Sequence, residues 1–473
     1  MSALASGKAG ELRPPDPQRA RQLVARYDKP GPRYTSYPTT PVWSEEFGPA
    51  AFRAALERAS SRHGALSVYV HIPFCERLCT YCACNRTISR DHAVAKPYLE
   101  SLAREAESVA RALGSERQHE QLAVGGGTPT YLSPDELERM CDVVDQHFPP
   151  TPDAERSIEV DPRVTTEEQL SVLAERGFNR ISLGVQDLSP RVQHAIHRIQ
   201  PREQTEATAE RARSLGFGSV NFDLIYGLPF QTVASFDETL EQVIGLRPDR
   251  IALYSYAHVT WVSKQQRGFE RTDLPSAEEK LDIFGVAIRR LTEAGYLYFG
   301  LDHFALPDDS LSLAAERGEL HRNFMGYTTR RGTDLIGLGA SAISELDDAY
   351  AQSLRTPQEW SERLAEHGLA TLRGWALDDD DRRRKWLIQE LMCRGVVDPA
   401  AYAEHFGEAL AERIPDVEGR LAPFVADDLL HATDGRWHLT PMGRLYLRPI
   451  AMSFDAYLDT GGDGSSPRYS RTV

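Results

Sequence analysis

The chain has 473 residues, of which 54 are Lys or Arg and 69 are Asp or Glu, so its formal net charge is −15. A chain of this length can bury a large core, and so acidic a composition argues against a protein that coats nucleic acid with a basic surface. No run of about 18 apolar residues is present, so we expect neither a transmembrane helix nor a membrane partner.

The first segments of the chain are polar and rich in proline. Residues 1–20 lack an apolar signal region and are expected to be disordered. Residues 21–65 form a predicted N-terminal extension that contains KPGPRYTSYPTTP, from Lys29 to Pro41. From composition alone, this aromatic and Pro-rich stretch is also typical of a packed connector.

Residues 66–350 alternate strand-like apolar runs with amphipathic helical stretches. Capping boxes predict helix starts at Ser133 with Glu136 and at Thr165 with Glu168. The regular β-then-α order predicts an α/β fold whose parallel sheet closes fully or partly into a barrel. The predicted strands are LSVYVHIP, QLAVGGG, SIEVDP, RISLGVQ, SVNFDLIYG, RIALYSYAH and YLYFGLDHF.

Residues 351–460 predict a small, mostly helical, winged-helix-like domain. DDDDRRRKWLIQELMCRG is typical of a charged entry into a helix, and the Asp-Gly pair in LLHATDGRWHLTPM predicts a hairpin. A winged helix fused to an enzyme is more often a packing module than a DNA reader, so no nucleic-acid partner is expected. Residues 461–473 predict a flexible tail.

Four of the six cysteines lie in CERLCTYCACN, between Cys75 and Cys84. Cys141 and Cys393 stand alone in helical patterns and are expected in the core. A zinc site usually takes paired ligands from two separated places, and a redox or catalytic pair needs only two thiols. Closely spaced thiolates on one loop favour an iron–sulfur cluster. Such clustering in a cysteine-poor chain also favours a reducing, cytoplasmic location.

The spacing C-x3-C-x2-C, formed by Cys75, Cys79 and Cys82, resembles that of the radical S-adenosylmethionine superfamily, with Tyr81 as the aromatic residue before the third cysteine. The resemblance implies that three thiolates hold a 4Fe–4S cluster and leave one iron open to chelate S-adenosylmethionine. Cys84 remains an alternative fourth ligand, which would close that site. The loop follows a predicted strand at its C-terminal end, where βα-barrel enzymes place their sites.

Glycines and polar residues also follow the other predicted strands. A glycine run alone is often a tight turn, and a lone carboxylate is often an ion-pair partner. Several such residues converging at the same end of successive strands predict a pocket. They are Gly126, Gly127, Thr128, Glu159, Asp161, Gln186, Asp187, Asp223 and Ala257.

The motifs HIPFCERLCTYCACN, GGGTPTYL, SIEVDPR, GVQD, NFDLIYGLP and DHFA together resemble the oxygen-independent coproporphyrinogen III oxidase family, from about Tyr27 to Tyr457. The resemblance implies an incomplete (β/α)6 TIM-like barrel over residues 66–350, a helical C-terminal domain and two bound S-adenosylmethionine molecules. It implies that the cluster-bound molecule is lined by Tyr69, Gly126, Glu159 and Ile343. For the second molecule it implies Tyr81, Gly127, Thr128, Gln186, Arg198, Asp223 and Ala257.

The function implied by this resemblance is the anaerobic oxidative decarboxylation of coproporphyrinogen III by a 5′-deoxyadenosyl radical. Two propionates become vinyl groups, giving protoporphyrinogen IX in haem biosynthesis. Implied partners are an external flavodoxin- or ferredoxin-like electron donor and an unknown acceptor, with a monomeric chain. The alternative is a related haem chaperone, but HRNFMGYTT, from His321, departs from the motif of that group, and residues 29–41 resemble the substrate-contacting stretch of the oxidases.

A substrate with four propionates requires cations in this acidic chain. Arginine forks suit carboxylates because two N–H groups pair with two oxygens. Arg33 is the first candidate and Arg322 the second, although either could instead pair with a local acid. Tyr34 is a further substrate candidate that could equally pack against the fold.

Overall fold

A computed structural model describes residues 17–62, 64–114, 117–260, 263–458 and 469. Of the residues 1–20 predicted to be disordered, 1–16 lie outside the described residues, as does most of the predicted tail at 461–473. Residues 17–20 belong to the first helix, Pro17–Tyr27, so the prediction of disorder is wrong for them. None of the described helices combines the length and the apolar character that a membrane crossing requires.

Helices and strands alternate along most of the described chain. The α-helices are α1 (Pro17–Tyr27), α2 (Pro49–Ala59), α3 (Ala95–Leu113), α4 (Pro134–His147), α5 (Glu167–Glu175), α6 (Pro190–Ala195), α7 (Arg202–Ser214), α8 (Val233–Leu246), α9 (Ala277–Glu293), α10 (Ser310–Arg317), α11 (Pro357–His367), α12 (Asp379–Arg394), α13 (Pro399–Phe406), α14 (Leu410–Arg413), α15 (Val417–Ala426) and α16 (Leu447–Ala451). The strands are β1 (Leu66–Ile72), β2 (Phe74–Cys75), β3 (Thr87–Ile88), β4 (His119–Gly126), β5 (Pro150–Val160), β6 (Arg180–Gln186), β7 (Ser219–Tyr226), β8 (Arg250–Ser255), β9 (Leu297–Gly300), β10 (His303–Ala305), β11 (His321–Asn323), β12 (Gly326–Thr328), β13 (Asp334–Leu338), β14 (Ile343–Leu346), β15 (Ala349–Ser353), β16 (Thr371–Ala376), β17 (Val396–Val397), β18 (Leu430–Thr433) and β19 (Arg436–Leu439). Short 3₁₀ segments lie at Thr40–Val42, His92–Val94, Pro129–Tyr131, Lys264–Gly268, Arg271–Asp273, Gly443–Tyr446 and Met452–Phe454.

The chain forms two compact units. The cysteine-loop unit consists of Trp43–Leu224 and Gly332–Leu377. The C-terminal unit consists of the described parts of Met1–Val42, Ile225–Arg331 and Asp378–Val473.

A parallel sheet forms the centre of the cysteine-loop unit. Its strands lie in the order β13–β1–β4–β5–β6–β7, with β7 counted through Leu224, and each neighbouring pair is parallel. β14, β15 and β16 continue from β13 as antiparallel strands. Val68, Val70 and Ile72 of β1 are fully buried, as in parallel strands covered by helices. The predicted parallel α/β architecture is confirmed, and the carboxyl ends of β1, β4, β5 and β6 meet at one edge, where the candidate site lies.

In the C-terminal unit, β8 pairs with β10 and β10 pairs with β9, both antiparallel. The prediction of one strand over YLYFGLDHF is therefore wrong, because this stretch is a tight hairpin. Gly300 at φ +107° and Leu301 at φ 54° turn the chain between β9 and β10. The turn places Asp302 and His303 next to each other at its exit.

The last part of the C-terminal unit is helical, with a small three-stranded sheet in the order β17–β19–β18. Asp434 and Gly435, both with positive φ, turn the chain between β18 and β19, as the sequence predicts. Helix α12 buries Leu387 and Leu391 against a core that includes Tyr446. The likeness of this region to a winged helix stays a prediction.

One of the two predicted capping boxes is correct. Ser133 and Glu136 cap α4 reciprocally. The box predicted at Thr165 with Glu168 is wrong, because α5 is capped one residue later by Thr166 and Gln169. The Thr165 hydroxyl is occupied elsewhere, since it donates a hydrogen bond to the Asp161 carbonyl oxygen at 2.8 Å.

Candidate active site

The cysteine loop follows β1 at the carboxyl edge of the parallel sheet. Cys75, Cys79 and Cys82 are all free thiols. Cys75 Sγ lies 3.3 Å from the hydroxyl of Thr128. Cys79 is buried, and the Arg163 guanidinium donates to its sulfur at 3.4 Å. A guanidinium at this distance stabilises negative charge on the sulfur, as a thiolate-held cluster requires.

Cys84 is solvent-exposed and hydrogen-bonds to Cys82. Because the Cys84 thiol donates this bond, it lowers the pKa of Cys82 to about 6, while burial raises the pKa of Cys75 to about 11. The described His, Cys, Asp and Glu side chains nowhere gather in the tight group of three that one metal ion needs. Cluster ligands stand further apart than that, because the irons and sulfides of the cluster fill the space between them.

Three glycines at the carboxyl end of β4 bring backbone close to this loop. A Cβ on Gly125 would lie 2.8 Å from the Glu159 carboxyl group, and one on Gly126 would lie 2.6 Å from the His71 ring. A Cβ on Gly127 would lie 2.7 Å from the carbonyl oxygen of Phe74. Gly126 also has φ +116°, a conformation that favours glycine. The segment is therefore a cradle whose backbone, and not its side chains, faces the site.

His71 orders the end of the cysteine loop. The Tyr69 hydroxyl donates to His71 Nδ1 at 3.0 Å, and His71 Nε2–H donates to the Asn85 carbonyl oxygen at 3.0 Å. Burial lowers the pKa of His71 to about 4, so the ring is neutral at pH 7. Both ring nitrogens are occupied, so His71 fixes the loop through its hydrogen bonds.

Two carboxyl groups lie on β5 and β7: Glu159, the next-to-last residue of β5, is exposed, and Asp223 of β7 is half-buried. Desolvation by the surrounding protein, with Asp223 nearby, raises the pKa of Glu159 to about 7, and Gly126 N–H donates to its Oε2 at 3.2 Å. Burial raises the pKa of Asp223 to about 6, although Ser182 and Asn221 each donate to it at 2.9 Å. Carboxyl groups in such surroundings can accept hydrogen bonds from the hydroxyl groups of a bound ligand.

Asp161 joins two arginines beside Cys79. Arg163 Nη2 donates to Asp161 Oδ2 at 2.6 Å, and Arg198 Nη1 donates to the same oxygen at 3.1 Å. Burial acts to raise the pKa of Asp161, but the two guanidinium groups outweigh it and hold the pKa at about 2. Arg198 Nη2 also donates to the Gly184 carbonyl oxygen at 2.6 Å. Arg163 is not among the residues predicted for the site, although it stands in the SIEVDPR motif.

Of the remaining predicted residues, Gln186 and Tyr81 belong to the cysteine-loop unit and Ala257 belongs to the C-terminal unit. Gln186 ends β6 with φ 68°, next to a register shift in the β6–β7 pairing. The Tyr81 ring is near Arg198 and both Cys79 and Cys82, and burial raises its pKa. Ala257 lies in the C-terminal unit, where its carbonyl oxygen accepts from Gln266 at 3.2 Å.

The turn before Ile343 is held by helix α3. Glu105 Oε2 accepts from Gly339 N–H at 2.6 Å, and its Oε1 accepts from the Trp360 indole N–H at 3.1 Å. Tyr98 donates its hydroxyl proton to the His71 carbonyl oxygen at 2.6 Å. The sequence does not predict these supports. Their only sequence signal is a pair of polar side chains seven residues apart on the buried face of α3.

Replacing Glu105 with glutamine should flatten the pH dependence of stability. Burial raises the pKa of Glu105 from 4.5 to about 7. Such a group adds stability below pH 4.5 that is lost as the pH rises through 7. We therefore expect the unfolding free energy of the wild type, relative to Glu105→Gln, to fall by about 3 kcal/mol between pH 4.5 and 8. Anaerobic urea unfolding at both pH values measures this difference. The control is Glu107→Gln, at an exposed position. If Glu105→Gln altered the pH dependence of the unfolding free energy as little as this control does, the raised pKa of Glu105 would be contradicted.

The predicted substrate residues lie in the C-terminal unit and differ in their partners. Arg33 forms an ion pair with Asp302. The Tyr34 hydroxyl donates to Asp455 Oδ2 at 2.9 Å within a buried setting. Arg322 is 2% exposed, and its Nε and Nη1 have no hydrogen-bond partner among the described residues. Its guanidinium lies 4.9 Å from the centre of the Tyr327 ring.

Comparisons with known proteins find relatives over most of the chain. Residues 69–243 match the model of the Radical SAM superfamily, and residues 377–446 match that of the HemN C-terminal domain. Relatives named oxygen-independent coproporphyrinogen III oxidase, from Salmonella typhimurium and Escherichia coli, are each 44% identical over 92% of this chain and 95% of their own length. A solved structure of coproporphyrinogen III oxidase from Escherichia coli, described as a radical SAM enzyme, superposes with a TM-score of 0.88 at 42% identity and covers 92% of this chain and 99% of that chain.

Proposed function

Because the chain belongs to the oxygen-independent coproporphyrinogen III oxidase family of radical S-adenosylmethionine enzymes, we propose that it converts coproporphyrinogen III into protoporphyrinogen IX. Each of two propionates loses one carbon dioxide and one β-hydrogen. The β-hydrogen accounts for the one proton and for one of the two electrons that each propionate gives up. The observation that carries the proposal is the set of free thiols of Cys75, Cys79 and Cys82 beside the glycine cradle. The product supplies haem biosynthesis.

The cofactors of this family are a 4Fe–4S cluster and S-adenosylmethionine. When bound together, they supply the one-electron chemistry that removes hydrogen from an unactivated carbon, which no protein acid or base can do. The donor set fits a cluster, because Cys75, Cys79 and Cys82 offer three thiols on one loop. Arg163 and Arg198 lie beside the Cys79 sulfur and offset the negative charge of a thiolate-held cluster.

Two S-adenosylmethionine sites are part of the proposal. The glycine cradle supports it, because backbone there can approach a ligand closely, and the carboxyl groups of Glu159 and Asp223 suit ribose hydroxyls. We assign Tyr69, Gly126, Glu159 and Ile343 to the cluster-bound molecule. We assign Tyr81, Gly127, Thr128, Gln186, Arg198, Asp223 and Ala257 to the second molecule.

The finer organisation of the chain is proposed from the same family resemblance. Residues 21–65 act as the substrate-contacting extension, residues 66–350 as an incomplete six-stranded barrel and residues 351–460 as the helical domain. Arg33, Tyr34 and Arg322 contact the substrate. The chain works as a cytoplasmic monomer that receives electrons from a flavodoxin- or ferredoxin-like protein.

Product analysis tests the function. The holoprotein is incubated without oxygen with coproporphyrinogen III, S-adenosylmethionine and dithionite, and the products are oxidised to porphyrins and separated by chromatography. We expect protoporphyrin IX and two molecules of carbon dioxide for each substrate consumed. Unchanged substrate, together with tight binding of haem by the same preparation, would contradict an oxidase and favour the related haem chaperone.

A further inference from the structure

Four arginines of the C-terminal unit act on the same few groups. Asp302 interacts electrostatically with Arg33 and Arg322. Arg448 in turn interacts electrostatically with both Arg33 and Asp302. Tyr327 feels the charges of both Arg322 and Arg444. These groups include four arginines and the carboxylate of Asp302, in a chain whose net charge is −15.

Two of the four arginines are already engaged. Arg33 is paired with Asp302. Arg448 donates from Nε to the Pro32 carbonyl oxygen at 2.9 Å and from Nη2 to the carbonyl oxygen of Gly31. Arg448 therefore holds the backbone that presents Arg33, and neither side chain offers a free fork.

Neither Arg322 nor Arg444 has such a partner among the described residues. Arg322 is almost fully buried and keeps two guanidinium nitrogens unbonded among the described residues. The Arg444 guanidinium forms no hydrogen bond or ion pair with a described residue, and the groups around it are the rings of Tyr327 and Tyr298. Glu390, the acid near the neighbouring Cys393, already pairs with Arg331 and Arg394.

A buried cation without a counterion is costly, and the cost is recovered when an anion binds. Guanidinium groups match a carboxylate because their parallel N–H groups meet its two oxygens. Aromatic rings near the guanidinium groups suit a ligand whose carboxylates extend from an apolar, conjugated body.

We infer that Arg322 and Arg444 together form a carboxylate site that takes a propionate of the tetrapyrrole substrate. This inference rests on the proposed function and adds Arg444, and the pairing of the two arginines, to it. Arg33, neutralised by Asp302, stays beside this site as a secondary contact.

Binding of coproporphyrin III, the stable oxidised form with four free carboxylates, tests the site. Fluorescence titration of the full-length holoprotein should show that Arg322→Gln and Arg444→Gln each weaken binding by about 10- to 100-fold, the loss expected for a hydrogen-bonded charge. Arg322→Lys should also weaken binding by about 10-fold, because an ammonium group cannot replace the fork. The tetramethyl ester of the porphyrin should bind the wild type and the variants equally.

Arg317→Gln is the matched control, because Arg317 is exposed and pairs with Glu319 in the same unit. It should bind coproporphyrin III as the wild type does. If Arg322→Gln does not fold, Arg322→Lys and Arg444→Gln carry the same comparison. Substrate-independent cleavage of S-adenosylmethionine reports whether each variant is intact.

Two outcomes separate this inference from the proposed function. If the wild type turns coproporphyrinogen III over while Arg322→Gln and Arg444→Gln keep its KM and its affinity for coproporphyrin III, the site is overturned and the function stands. If the wild type binds coproporphyrin III through both arginines but never converts coproporphyrinogen III, the oxidase proposal is overturned and the site stands.

Discussion

The Cys82→Ala protein, purified without oxygen, will lack the cluster and form no protoporphyrinogen. Removing this thiolate leaves only Cys75 and Cys79 as ligands, too few to hold a cluster that keeps one iron open. Activity should fall by more than about three orders of magnitude, because side-chain acid–base chemistry offers no second route to the β-hydrogen. Iron and sulfide analysis, with the broad absorbance that dithionite bleaches, measures the cluster.

Cys84→Ala gives the matched control on the same loop. Cys84 is exposed and its contact with Cys82 is a hydrogen bond, so the variant should keep the cluster and most of the activity. Replacement of Cys141, a buried cysteine of α4, by alanine serves as a second control. A cluster lost from Cys84→Ala, at wild-type levels of folded protein, would make Cys84 a ligand and leave no open iron.

Replacing Arg198 with methionine should destabilise the cysteine-loop unit by about 1.5–3 kcal/mol, the contribution of a hydrogen bond to a charged group, because Asp161 loses one of its two guanidinium partners. Asp161 and Arg198 are both buried, with 8% and 5% of their surface exposed. In the variant, Asp161 keeps only Arg163. The loss of Arg198 should also abolish turnover, since this side chain lies beside Cys79 and in the proposed second S-adenosylmethionine site.

The ion pair between Asp161 and Arg198 should also make the unfolding free energy depend on pH. The pKa of Asp161 is lowered from 3.8 to about 2, so its pairing adds stability above pH 3.8 that is lost as the pH falls towards 2. Without Arg198 the folded pKa moves up, and the contribution that depends on pH shrinks. Anaerobic urea unfolding at pH 7 and pH 3 measures both effects.

Arg176→Met is the control for Arg198→Met. Arg176 pairs at 2.7 Å with Asp142, whose side chain is 63% exposed, so its loss should cost no more than about 1 kcal/mol. Equal, small losses from Arg176→Met and Arg198→Met would contradict the buried ion pair.

The parallel sheet could be predicted because its strands are buried on both faces. Such strands appear as continuous apolar runs, as in SVYVHI of β1, and glycine marks the turns between them. The hairpin formed by β9 and β10 could not be predicted, because it turns at Gly300 and at Leu301. Leucine rarely adopts a left-handed conformation, so the sequence gives no sign of a turn at Leu301, and YLYFGLDHF resembles a single strand.

The site could be predicted only where its residues stand in recognisable motifs. Arg163 and Glu105 contribute through contacts that the fold creates, across separations that no local pattern reveals. The sequence cannot rank Arg33 and Arg322 as substrate contacts for the same reason. The surroundings of Arg33 in sequence favour it over Arg322, but only the structure shows that Asp302 pairs with Arg33 and that two nitrogens of Arg322 are unbonded among the described residues.

The most direct measurement uses coproporphyrinogen III with deuterium on the β-carbons of its propionates. The holoprotein turns it over without oxygen, and the mass of the 5′-deoxyadenosine formed from S-adenosylmethionine is determined. We expect one deuterium in each 5′-deoxyadenosine and protoporphyrinogen in proportion to it. Unlabelled 5′-deoxyadenosine formed alongside protoporphyrinogen would contradict removal of the β-hydrogen by the 5′-deoxyadenosyl radical, because another group would then have taken it.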